Sequence, residues 1–293
     1  MESKVCVTGA AGYLGSSLVK RLLEKGHIVH ATTRNLGDAY KVGLLKSLPN
    51  AETRLRLYEA DIYNPSEFQA AIEGCQFVVH MATPLQHLPQ ISQFKDTTEA
   101  AVAGVESIVE CCITSGTVKR LIYTASVLDE SCWTSHGVAF AYSTDHLMAY
   151  ASSKTASEKE LLRYNGAIEI VSLALGLVGG GTLLSTMPGS VNVLVSQVTN
   201  NKAVYNTLRF LEELLGKVPI LHVEDIPLRT AYLSSAEIAS HYRMIFPDIQ
   251  IPDEFVEKLD RKIVWGSTKL KDAGFEFKCD VKTILEDSIN LGL

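Results

Sequence analysis

Residues 5 to 26 read "VCVTGAAGYLGSSLVKRLLEKG": an apolar run, three glycines at positions 9, 12 and 15, then a stretch with helical spacing. This pattern constrains the fold more than any other feature of the chain. Thr8-Gly9-Ala10-Ala11-Gly12-Tyr13-Leu14-Gly15 has the TGxxGxxG spacing of a dinucleotide-binding turn between a parallel strand and a helix. Gly9 allows the tight turn, Gly12 lets backbone N–H groups reach a pyrophosphate, and Gly15 lets the helix close down. A plain glycine-rich turn is the alternative, and the strand before it and the helix after it count against that.

The rest of the first two thirds continues the alternation. "HIVHATTR" (27–34), "RLRLYEADI" (54–62), "CQFVVHMAT" (75–83), "KRLIYTAS" (119–126) and "IEIVSLALGLVG" (168–179) read as strands, with helices between them around 94–115 and 150–164. Apolar strands without inside/outside alternation belong to a parallel sheet covered on both faces. The expected fold is α/β, a Rossmann-type doubly wound parallel sheet over residues 1–179. From Gly180 the pattern loosens, and residues 180–293 are expected to form mainly a smaller substrate-binding cap, with some elements returning to the core.

The end of the second strand bears on the choice of dinucleotide. NAD sites usually carry an acid there for the ribose 2′-hydroxyl, whereas this chain has Thr33, then Arg34, with Lys41 seven residues on. A guanidinium that can pair bidentately with phosphate favours NADP; a solvated surface arginine is the plainer reading. Asp61, after the third strand, could bond an adenine amino group or cap a helix.

A second constellation follows. Tyr150 and Lys154, in "AYASSKTASEKELL", lie four residues apart and share a helix face. An ammonium beside a phenol makes tyrosine usable as an acid or base near neutral pH. Ser126, at the carboxyl end of "LIYTAS", can donate a hydrogen bond to a carbonyl oxygen receiving hydride. A tyrosine and lysine at this spacing also occur on ordinary surface helices, and it is the order of all three features that favours chemistry.

Bulk properties fit a small-molecule enzyme. Against 27 Lys and Arg stand 33 Asp and Glu, a formal net charge of -6, which provides no footprint for nucleic acid or anionic lipid. The longest apolar stretch, near Ile170 to Val178, falls far short of the roughly 20 residues that span a bilayer. Six cysteines without metal-ligand spacing suit a reduced, cytoplasmic protein. His80, His87, His136 and His146 lie near the expected cleft in sequence, where surface or supporting roles are the plainer reading; His222 reads as structural, and "FLEELLGK" (210–217) as a solvated helix face.

Taken together, "VCVTGAAGYLGSSLVKRLLEKGH", "ATTRN", "EADIYNPSEFQAAIEGC", "VVHMATP", "TVKRLIYTAS", "LDESCWT", "YASSK", "LHVEDI" and "STKLKDAGFEFK" resemble the extended short-chain dehydrogenase/reductases. Within them the chain resembles the plant group of dihydroflavonol 4-reductase, anthocyanidin reductase, vestitone reductase and cinnamoyl-CoA reductase. The resemblance implies a Ser126, Tyr150, Lys154 triad and NADPH contacts from Gly9, Gly12, Tyr13, Leu14, Arg34, Lys41, Asp61, Ile62, Ala82, Thr83 and Pro84. It also implies reduction of a phenolic small molecule such as an anthocyanidin, dihydroflavonol or flavanone, by a monomer. A cinnamaldehyde or cinnamoyl-CoA reductase is the alternative, and "HLMAYASSK" lacks the CoA-handling motif of that branch. A non-catalytic NADP-sensing regulator is a third. The chain departs from the group with Ala125 before Ser126, Ala174 at a usual proline and Gly179-Gly180 at a usual Gly-Pro. It also runs short after Val127 and after "LHVEDIP", where segments of the group's pattern are expected to have been left out.

Overall fold

The computed structural model describes residues 2–84, 93–125, 140–225, 231–256 and 279–291. Ser126, His87, His136, Trp133 and both of the short stretches, after Val127 and around Pro227, lie outside the described residues. Backbone contacts divide the chain into two units, one of Met1–Ser126 with His146–Leu173, the other of Val127–Asp145 with Ala174–Leu293.

The first unit is a Rossmann-type α/β layer structure. Its elements are β1 (Lys4–Thr8), α1 (Tyr13–Glu24), β2 (Ile28–Thr33), α2 (Ala39–Lys46), α3 (Ala51–Arg54), β3 (Leu55–Glu59), α4 (Phe68–Ile72), β4 (Phe77–His80), α5 (Thr97–Ser115), β5 (Arg120–Ala125), α6 (Asp145–Leu162) and β6 (Glu169–Ala174). The strands form one sheet in the order β3-β2-β1-β4-β5-β6. β1 pairs in parallel with β2, Val5 opposite Val29, and with β4, Val7 opposite Val79 and Thr8 opposite His80. The three middle apolar strands are buried along almost their whole length, whereas β3 at the edge is half exposed, as a parallel sheet covered on both faces requires. One core cluster joins Cys6, Val78 and Leu121 of the sheet to Phe68 and Ile72 of α4 and Val105, Ile108 and Val109 of α5. The order reverses between β1 and β4, and the crevice at such a switch point is where open sheets of this kind bind ligands.

The second unit holds β7 (Leu177–Gly179), α7 (Gly189–Val195), α8 (Lys202–Leu215), β8 (Val218–His222), β9 (Ala231–Leu233), α9 (Ser235–Ile245) and a last helix, Val281–Ile289. Its strands form a separate sheet in the order β7-β8-β9, β7 parallel and β9 antiparallel to β8. The run "IEIVSLALGLVG" is therefore two strands in two sheets, not one. The break falls at Leu175-Gly176, and a side chain at 176 would overlap Pro219 O and come within 2.7 Å of Pro219 C. Only glycine permits that backbone approach.

The stretch "FLEELLGK" also differs from its sequence reading. Phe210, Glu212 and Leu215 are buried, and the Arg209 guanidinium donates to the Glu212 carboxylate at 2.8 Å and to Ser235 Oγ at 2.9 Å. Charge alone suggested a wet face, but this acid is internal and paired, as buried carboxylates must be. Among the described residues no helix is long and apolar enough to cross a membrane.

Candidate active site

The glycine turn is built as its spacing requires. Gly9 follows β1 with φ +66°, a left-handed conformation that costs glycine little, and a Cβ there would stand 3.1 Å from Ala82 N. Gly12 is the N-cap of α1 with extended backbone and contributes no side-chain cap, so the helix meets the cleft with its own amides and the positive end of its dipole. A Cβ at Gly15 would overlap Gly9 O and lie 2.8 Å from Ala10 Cα. The third glycine thus lets α1 close on the turn itself.

Above this turn opens a cleft of about 440 Å³. The structure brings together along its walls nine residues singled out in the sequence: Gly9, Gly12, Arg34, Lys41, Asp61, Ile62, Ala82, Thr83 and Pro84. Tyr13, Leu14 and Gly15 stand in the first turn of α1, outside that lining. Thr33, named beside Arg34, lines it too, as do Ala11, Thr32, Ala60, Tyr63 and Met81, which were not picked out; each of these five lies within two residues of one that was. Asp61 Oδ1 accepts from Tyr63 N at 3.1 Å, so the carboxylate shapes the turn after β3 while lining the cleft.

One buried node escaped sequence reading. Thr8 Oγ accepts from Met81 N at 3.0 Å and Ala82 N at 3.1 Å, and sits 2.8 Å from His80 Nδ1. With both lone pairs of the hydroxyl occupied by amides, its single proton goes to His80 Nδ1, which places the imidazole proton on Nε2. The ring is neutral: burial, and the Lys154 charge after it, push its pKa down to about 3. This node ties the end of β1 to the turn after β4. A serine or threonine at the end of a strand facing a histidine in the neighbouring strand is the signal that would have found it.

Tyr150 and Lys154 lie in α6 as their spacing predicted. The Lys154 ammonium donates to Thr124 O at 2.5 Å and Thr83 Oγ at 3.2 Å, and stands 4.5 Å from the Tyr123 ring centroid. It is buried, and desolvation brings its pKa down to about 7, partly opposed by the Glu158 carboxylate. Tyr150 is half-buried, and desolvation raises its phenol. The phenol therefore stays protonated at neutral pH, and the shift runs opposite to the lowering expected from a lysine one turn away, because burial outweighs it. His146 is exposed, whereas His222 accepts from Glu224 N on Nδ1 and donates from Nε2 to Asp287 at 3.1 Å, a structural use of both nitrogens.

Residues 5–230 match the model of the NAD dependent epimerase/dehydratase family. The chain belongs to that family. Within the epimerase/dehydratase family it is similar to dihydroflavonol 4-reductase of Gerbera hybrida, 33% identical over 98% of this chain and 85% of that one. It is also similar to anthocyanidin reductase ((2S)-flavan-3-ol-forming) of Vitis vinifera, 30% identical over 98% and 94%. Among solved structures, vestitone reductase from alfalfa covers 99% of this chain and 97% of its own at 29% identity, with a TM-score of 0.78. This family member is an NAD(P)-dependent oxidoreductase with a Rossmann-type sheet, and the relatives named above are flavonoid reductases.

Proposed function

We propose that the protein is an NADPH-dependent reductase of a flavonoid-type substrate: an anthocyanidin, dihydroflavonol or flavanone. The observation that carries the cofactor reading is the pair of cations, Arg34 and Lys41, on the wall of a glycine-floored cleft. The space left by Gly9 and Gly12 suits a pyrophosphate at the amino end of α1, and the two cations suit a 2′-phosphate. Tyr13, Leu14, Gly15, Asp61, Ile62, Ala82, Thr83 and Pro84, with Tyr150 and Lys154, complete the cofactor set in this reading. The substrate class is supported by likeness to the reductases named above.

When bound, the dihydronicotinamide supplies hydride to the substrate. Tyr150 gives its phenolic proton to the substrate oxygen as negative charge builds there; its raised pKa keeps the proton on the phenol until then. Ser126 donates a hydrogen bond to the same oxygen and orients it. Lys154, with two of its N–H groups directed to Thr124 and Thr83, holds the cofactor ribose with the third when protonated. In this reading residues 180–293 supply most of the substrate pocket.

The test is a titration with NADPH and NADH, followed by NADPH consumption against anthocyanidins, dihydroflavonols, flavanones, cinnamaldehydes and feruloyl-CoA. Expected are preference for NADPH and turnover of one flavonoid class. Tyr150→Phe should lose turnover by about two to four orders of magnitude while still binding NADPH. Turnover of coniferaldehyde or feruloyl-CoA alone would replace the substrate class. Tight NADPH binding without turnover would replace the enzyme with a regulator.

A further inference from the structure

The cleft does not present its two cations on equal terms. Lys41 is held by Asp38, the N-cap of α2: Asp38 Oδ1 accepts from Lys41 N at 3.1 Å and Oδ2 pairs with Lys41 Nζ at 3.2 Å. Both carboxylate oxygens are thus turned to one residue. Their side chains are 31% and 39% exposed, so the pair sits at the rim where water and an incoming phosphate can compete for it. Of the other acids nearby, Glu59 accepts from Leu36 N at 2.8 Å and Asp61, on the same cleft wall, accepts from Tyr63 N at 3.1 Å.

We propose that Asp38 is an internal counterion to Lys41 that a 2′-phosphate must displace or share, so that this carboxylate sets how strongly the site discriminates NADP(H) from NAD(H). The inference rests on the reading of Arg34 and Lys41 as the phosphate site. With Asp38 ionised, the rim group of Arg34, Lys41 and Asp38 carries one net positive charge; without it, two. A dianionic 2′-phosphate gains from that difference, and a ribose hydroxyl gains nothing. The Asp38 carboxyl is held below its ordinary range by the Lys41 amide and ammonium, so it is charged at pH 7.

Asp38→Asn tests this cleanly, since asparagine caps a helix as well as aspartate and leaves α2 in place. Dissociation constants for NADPH and NADH would be measured by titration at pH 7, at low salt and at about 0.5 M salt, where surface charges are screened. The expected result is NADPH binding about threefold to tenfold tighter, the scale of an exposed charge pair, with NADH unchanged and the gain shrinking at high salt. In a Lys41→Met background the same substitution should give a clearly smaller gain. Equal shifts for both dinucleotides, weaker NADPH binding or no change would overturn the proposal. These outcomes are separate from the cofactor reading itself. That reading fails if the unmodified protein binds NADH as tightly as NADPH, whereas a selective gain for NADPH in the variant would still establish the counterion.

Discussion

Thr8→Val removes one oxygen and keeps the shape of a fully buried side chain. Three hydrogen bonds meet at that oxygen, from Met81 N, from Ala82 N and to His80 Nδ1. Each is worth about 1 kcal/mol net, and a buried group left without a partner costs about 1–3 kcal/mol. Water in the cleft can reach the two half-buried amides, so they belong at the low end. His80 belongs at the high end, because its Nε2 has no partner among the described residues and loss of the Nδ1 bond would leave the buried ring with none there. The expected loss is about 3–5 kcal/mol, a large share of the roughly 5–15 kcal/mol that holds a domain together. Thr8→Ser keeps all three bonds and should cost only the methyl group, about 1 kcal/mol. Urea unfolding of the three proteins gives the numbers, and a valine variant within about 1 kcal/mol of the serine variant would refute the node. The valine variant should also bind dinucleotide more weakly, since the turn it loosens carries Met81 and Ala82 into the cleft wall.

Gly15→Ala should be severe, because the added carbon meets backbone on two sides and backbone cannot rotate away. The expected cost is about 1–3 kcal/mol or more with a more than tenfold loss in dinucleotide affinity, and a melting temperature within about 2 °C of the parent would contradict it. Lys154→Met tests the buried ammonium through pH. The folded lysine gives up its proton near pH 7, the unfolded one near its ordinary 10.5, so between these values the unfolded chain binds more protons and stability rises with pH. The methionine variant should therefore be more stable than the parent below pH 7, with the advantage shrinking by up to about 1.4 kcal/mol per unit as pH climbs toward 10. Parallel stability profiles would show that Lys154 titrates normally.

What could be seen in the sequence follows from how local each signal is. The glycine turn, the order of strands through β5 and the shared face of Tyr150 and Lys154 depend on neighbours a few residues apart, and the structure reproduces all three. Arg34 reached the cleft wall because the end of a strand dictates where its next residue goes. The features that escaped join distant parts of the chain. Thr8 meets its partners 72 to 74 residues away, and nothing in a lone threonine announces them. Glu212 looked solvated because its second partner, Ser235, lies 23 residues on in α9 and comes beside it only once α8 and α9 pack, even though Arg209 is three residues away in the same helix. The split between β6 and β7 turned on Gly176 meeting Pro219, which no periodicity records.

The residues that line the cleft all fall between Gly9 and Pro84, while Tyr150 and Lys154 come much later in the chain. Synthesis therefore delivers the proposed dinucleotide end of the site well before the pair proposed to move a proton. A chain cut short in α5 has every residue of the cleft wall but neither Tyr150 nor Lys154, and it also lacks Leu121 and Tyr123 of β5 and Leu161 of α6, which share one core cluster with α5, so the early half of the site waits on the late half of the sheet.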